Sequence, residues 1–145
     1  MFKAILVPID LNAVPASAHQ VETAVGLARS NGAQLHLLTV VPDFGMSIVG
    51  SSFPANYEAQ ADQEARKRLE AFARSEIPAD VPATIHIAHG SVYRQILAAA
   101  DANAVDLIVL SAHRPELKDY LLGPNVARVV RHATQSVFVV REESA

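Results

Sequence analysis

The sequence contains no cysteine, which excludes a disulfide framework, a thiolate zinc centre and a cysteine nucleophile, and fits a reducing compartment. It also has no apolar stretch near the roughly 20 residues that cross a membrane. The opening MFKAILVPIDL carries a short apolar run broken by Pro8 and Asp10, too short for a signal peptide. On these grounds the protein is expected in the cytoplasm, with no membrane partner. Positive charge is scarce too. The formal charge is −3, and the scattered Lys and Arg residues form no basic face interleaved with aromatics, which speaks against polymeric nucleic acid as a partner. A small anionic ligand is still compatible, because a few local donors hold one whatever the net charge. The six glycines never fall into G-x-x-x-x-G-K-[ST] or G-x-G-x-x-G, so neither familiar phosphate loop is present. The paired acids that a response regulator carries after its first strand are missing as well.

What is present is a chain of 145 residues, half of them apolar, the size of one domain over 1–145 with a core that needs no staples. Five runs predict strands: KAILVPI at 3–9, QLHLLTVV at 34–41, ATIHIA at 83–88, DLIVLSA at 106–112 and SVFVV at 136–140. The first, second and fourth are near-continuous apolar runs, the pattern of parallel strands covered on both faces. Between them lie stretches with helical spacing: Val21, Ala24, Val25, Ala28; Ala61, Ala65, Leu69, Phe72 within about 57–74; Tyr93, Ile96, Leu97, Ala100; and Val126, Val129, Val130 within 124–132. Pro15 is placed to start the first helix and Asn31-Gly32 to end it, while Ser91 is placed to cap VYRQILAAA. Strands and helices alternate throughout. Right-handed crossovers then predict an α/β fold, a doubly wound parallel sheet with helices on both faces.

Two features break the regularity. Pro8 has no N–H for a sheet ladder, so the first strand is expected to lose central pairing near Val7 and to leave the sheet by Asp10. Residues 42–56, PDFGMSIVGSSFPAN, are too long for an ordinary connection. They read either as a loop covering the core or a neighbouring subunit, or as a ligand lid.

Ligands of open α/β sheets bind beyond the carboxyl ends of the strands, where the winding reverses. That rule selects Pro8 and Asp10, residues 40–43, residues 89–91 and, above all, SAHRPELKDYLLGPN at 111–125. In the last segment Gly123 opens a helix whose free N–H groups and positive dipole end suit phosphate, with Arg114 as a bidentate clamp. The same residues also make an ordinary helix start with a solvated His-Arg pair. Asp10 reads equally as a ligand contact or as an Asx-turn. His86 and His89 are three apart in a strand, hence on opposite faces, and read as structural or solvated. So do His19, His36 and His132, each of which stands alone. Asp10, Ser111 and His113 form a hydrolytic triad only on paper, since no G-x-S-x-G elbow accompanies them.

KAILVPID, LHLLTVV, HGSVYRQIL and LIVLSAHRPELKDYLLGPNVARVVRHATQSVFVVR together resemble the universal stress protein family over essentially the whole chain. His-Arg-Pro followed by Tyr-Leu-Leu-Gly is similar to its F/G-type branch. The resemblance implies a five-stranded Rossmann-like sheet of the adenine nucleotide alpha hydrolase type, in the order 3-2-1-4-5. It also implies homodimers formed through the last strand, 136–140, whose open edge suits such pairing. It further implies ATP or AMP as ligand, with Mg2+ accompanying ATP. Asp10 beside Pro8 would then meet the adenosine, and the backbone at Val40 would read the adenine. The family's phosphate motif is Gly, two residues, Gly, nine residues, Gly, then Ser or Thr. Here Ser111 and Arg114 stand at the first two glycines, eight residues precede Gly123, and Pro124 replaces the hydroxyl residue. Pro124 removes a hydroxyl and an N–H together, and Arg114 and the Asn125 amide are the residues placed to compensate. The implied contact set is Pro8, Asp10, Val40, Ser111, His113, Arg114, Gly123, Pro124, Asn125 and Val126, with no catalytic residue and no metal ligand. The activity implied is nucleotide-dependent conformation or association, at most with slow ATP hydrolysis. The alternative is a nucleotide-free homodimeric interaction module in which the phosphate motif has decayed.

Overall fold

The computed structural model describes residues 1–41, 57–112 and 123–141. Its elements are β1 (Ala4–Pro8), a 3-10 segment (Leu11–Ser17), α1 (Ala18–Asn31), β2 (Gln34–Val41), α2 (Tyr57–Glu76), β3 (Ala83–His89), α3 (Val92–Ala102), β4 (Leu107–Ala112), α4 (Gly123–His132) and β5 (Ser136–Arg141). The strands form one sheet in the order β3-β2-β1-β4-β5, and every pair is parallel. The five expected strands, their order and the flanking helices are all found.

Alternation along each strand divides the core in two, since successive side chains leave a strand on opposite faces. Ile5 and Val7 of β1, Leu35 and Leu37 of β2 and Val109 of β4 pack with Val21, Ala24, Leu69 and Phe72 of α1 and α2. Leu6, Leu38, Ile108 and Leu110 pack on the other face with Ile96, Ala100 and Val129 of α3 and α4. Both layers leave β1 fully buried and β4 nearly so, which is why those strands read as unbroken apolar runs. Val130 departs from the expected inward set of α4. It is 50% exposed where its neighbour Val129 is sealed, because adjacent helical residues point about 100° apart.

Pro8 acts as its chemistry dictates, on one side only. β1 stays paired with β2 as far as Pro8↔Leu38 but with β4 only at Ile5↔Leu107 and Leu6↔Ile108. Beyond that point the buried side chain of Gln20 fills the gap, its Nε2 donating to Pro8 O at 2.8 Å and to Val109 O at 2.9 Å.

The first helix starts later than Pro15 predicts. Asp10 Oδ1 accepts from Asn12 N at 2.9 Å and caps a 3-10 segment that kinks at Ala13, so the α-helix begins only at Ala18. Proline's fixed φ serves a 3-10 turn as readily as a first α-turn. The helix ends as expected: Gly32 adopts φ 62°, a left-handed conformation that favours glycine, and its N–H bonds Ala28 O. No helix among the described residues is long and apolar enough to cross a membrane.

Candidate functional site

Where β1 and β2 leave the sheet, their carboxyl ends, the 3-10 segment, α2 and the start of α3 enclose a cavity of about 280 Å³. Pro8 and Ile9 line it from β1 and the turn after it, and Leu38 to Val41 line it from β2. The buried Thr39 hydroxyl donates to Ile9 O at 3.0 Å and holds the two strand ends together. The polar part of the lining is Asp10 and Asn12 on one wall and Glu64 and Arg68 on another. Val92 closes the cavity at the start of α3.

Among the residues singled out in the sequence, Pro8, Asp10 and Val40 meet in this cavity. One Asp10 oxygen serves as the Asx cap of the 3-10 segment, and the residue also lines the cavity. Ser111 is 2% exposed within β4 and is not among the residues that line the cavity. His113, Arg114 and loop 42–56 lie outside the described residues, and Gly123, Pro124, Asn125 and Val126 form the first turn of α4.

Asn125 has a second engagement. Ser91 occupies the N-cap of α3 with extended backbone, φ −70° and ψ 125°, but its hydroxyl makes no cap hydrogen bond. Asn125 Oδ1 accepts from Tyr93 N instead, at 3.1 Å, so an orphan donor of one helix is satisfied by the first turn of another. Arg94 and Arg128 lie against the Tyr93 ring, 5.7 and 5.2 Å from its centroid. A hydrogen bond from Arg94 Nε, reinforced by the charges of Arg94 and Arg128, holds the Tyr93 phenol below its usual pKa.

The α2 wall was not legible as a site. Ala61, Glu64, Ala65 and Arg68 follow i, i+3, i+4, i+7 spacing, so one helical stripe faces the cavity. Its two charged members disguise it as part of the solvated face. Arg68 is held in place by its Nη2, which donates to Leu11 O at 2.7 Å.

His36 does not stand alone. Its Nδ1 lies 2.9 Å from His86 Nε2, and the two rings stack at a centroid distance of 5.1 Å. Burial lowers both pKa values, aided at His36 by the charge of His86 and at His86 by that of Arg66. His89, on the opposite face of β3 as its spacing predicts, contacts Asp62 of α2 through Nε2. No group of three or more potential metal-ligating side chains occurs among the described residues.

Chemically, the cavity offers an apolar floor with carboxylate, amide and guanidinium groups at its edges. That combination is the general make-up of small-molecule sites, an apolar lining with a few polar groups placed to fix orientation.

Residues 1–141 match the pattern of the family described as "Universal stress protein family". Universal stress protein G of Shigella flexneri is 34% identical over 146 residues, spanning 97% of this chain and all of that protein. Among solved structures, universal stress protein UspA from Lactobacillus plantarum is 28% identical, with TM-score 0.66 over 96% of this chain and 97% of that one. A universal stress protein in complex with cAMP is 22% identical, with TM-score 0.58 over 97% of both chains. The universal stress protein from Archaeoglobus fulgidus in complex with dAMP is 16% identical, with TM-score 0.63 over 94% of this chain and 96% of that one.

Proposed function

The chain belongs to the universal stress protein family, and from that premise we propose that it is a cytoplasmic stress-response protein that binds an adenine nucleotide, ATP or AMP. The observation that carries the reading is the meeting of Pro8, Asp10 and Val40 in one cavity at the carboxyl ends of β1 and β2. The complexes of two related structures with cAMP and dAMP support the ligand class. The adenine would lie on the apolar floor against the Val40 backbone. The Asp10 oxygen that is not capping Asn12 would accept from a ribose hydroxyl. The phosphates would extend toward the start of α4, where backbone N–H groups and the positive dipole end favour anions. Ser111, His113, Arg114, Gly123, Pro124, Asn125 and Val126 are the contacts proposed there, and any Mg2+ would arrive with the triphosphate. The protein would act through nucleotide-dependent conformation or association, with no committed catalytic step.

Homodimerisation through β5 is part of the same reading. Phe138 on this edge strand is 45% exposed and Val130 of the neighbouring α4 is 50% exposed, so apolar surface accompanies an open row of backbone donors and acceptors. That surface also supports the second reading, a nucleotide-free dimeric interaction module.

Mass spectrometry of small molecules released from the purified, denatured protein, followed by calorimetric titration with ATP and AMP, separates the two. Co-purified adenine nucleotide or saturable binding supports the first. Neither, with a dimer still present in solution, overturns it in favour of the second.

A further inference from the structure

We propose that the groove between α1 and α2, on the face of the sheet opposite α3 and α4, binds a small organic cation with an apolar body, an alkyl- or arylalkylammonium. The groove has a volume of about 740 Å³ and shares no lining residue with the nucleotide cavity, so it stands apart from the nucleotide reading. Its size is that of a small-molecule site.

Helical spacing builds one wall. Ala18, Glu22, Gly26 and Arg29 form a single stripe along about three turns of α1. Val14 of the 3-10 segment, Val21 and Val25 of α1 and Phe72 of α2 supply the apolar floor. Gly26 is a glycine the fold does not ask for, since a Cβ at this position would have no heavy atom within 4 Å. A glycine inside a helix is destabilising, and what this one leaves is open room in the groove.

Two further observations give the ligand its anchor and its charge. Ser17 is 3% exposed and lines the groove, yet its hydroxyl makes no cap hydrogen bond to α1 and no other hydrogen bond among the described residues. Buried hydroxyls are ordinarily bonded, and a ligand in the groove would supply the partner. The charged lining is Glu22, Glu76 and Arg29. Arg29 is already matched by its two-point contact with Asp80, whereas neither glutamate has an ion-pair partner among the described residues. The charge left over is negative. An ammonium group at the Ser17 end would donate to Ser17 Oγ and to the Glu22 carboxylate, with its apolar body along the floor toward Phe72. The positive end of α1 carries only about half an elementary charge, less than the full charge of Glu22.

The probe is octylammonium, titrated into isotope-labelled full-length protein and followed by nuclear magnetic resonance, with octanol and octanoate as uncharged and anionic controls of the same chain. Saturable shifts of the Val21, Val25, Gly26 and Phe72 amides are expected with octylammonium, and binding at least about tenfold weaker with either control. Gly26→Leu is expected to abolish binding by filling the groove, with a urea midpoint no lower than wild type because leucine is the better helix former. Ser17→Ala and Glu22→Gln are each expected to weaken binding by about tenfold, and neither breaks a hydrogen bond or ion pair among the described residues. Absence of saturable binding by the wild type, equal binding of octanol or octanoate, or unaltered binding in any of the three variants overturns the proposal.

Discussion

Gln20 sits in α1 with its side-chain nitrogen 2.8 Å from the carbonyl oxygen of Pro8, and the same nitrogen reaches Val109 O on the neighbouring strand at 2.9 Å. The proline that ends sheet pairing and the glutamine that repairs it are 12 residues apart. An amide buried without such partners costs free energy, so this one is present because two strand carbonyls need donors.

Gln20→Leu keeps most of the side-chain volume but leaves both carbonyls without this donor. A loss of about 2 kcal/mol is expected, seen as a lower urea midpoint at unchanged slope. Because Pro8 lines the cavity, nucleotide affinity is expected to fall in the same variant. A midpoint equal to wild type refutes the repair role.

The cap of α3 comes from α4, and two substitutions separate it from a local one. Asn125→Ala removes the acceptor of Tyr93 N and is expected to cost about 1 kcal/mol. Ser91→Ala removes a hydroxyl with no cap hydrogen bond and is expected to cost distinctly less. Chemical denaturation of the two variants checks the ranking, and the reverse order contradicts it.

Asp10→Ala is expected to weaken adenine nucleotide binding by about 10- to 100-fold, the worth of a hydrogen bond to a charged group. It also uncaps the 3-10 segment, so Asp10→Asn, which retains a capping oxygen, serves as the control for folding. Arg68→Leu frees Leu11 O and removes a guanidinium from the α2 wall. Its affinity is expected to change as well, while Arg74→Leu, which is absent from the lining, leaves affinity unchanged. Titration calorimetry reads all four.

Arg29 Nε and Nη2 each meet an Asp80 carboxylate oxygen at 2.9 Å, and the hydrogen bond from Arg29 holds the Asp80 pKa below its ordinary 3.8. A carboxylate depressed in the folded state contributes stability above the unfolded value and loses it as pH falls through the folded one. The contribution is therefore intact at neutral pH and disappears below 3.8. Both side chains are more than half exposed, so the effect is small and weakened by salt. In melting curves across that acid range, Arg29→Gln is expected to lie closer to wild type at the acid end than at neutral pH. A constant gap across the range counts against the linkage.

Much of the architecture was readable from local chemistry. The apolar runs that became β1, β2 and β4 had to be covered on both faces, the helical stripe of Val21, Ala24, Val25 and Ala28 had one face to bury, and Asn31-Gly32 had to end α1. Each of these depends on periodicity or backbone freedom within a few residues. At the cavity, Pro8, Asp10 and Val40 were legible because strand ends are where α/β sheets bind ligands.

What the sequence by itself determined, then, is which segments are strands, which faces they bury and where the sheet opens. Only the tertiary structure decided that His36 meets His86, that Asn125 rather than Ser91 caps α3, that Gln20 replaces the donor Pro8 lacks, and that the exposed Glu64 and Arg68 stand at the edge of a cavity. Those relationships depend on strand register and helix docking across tens of residues. A shift of one position turns a strand side chain to the opposite face and swings a helical one by about 100°.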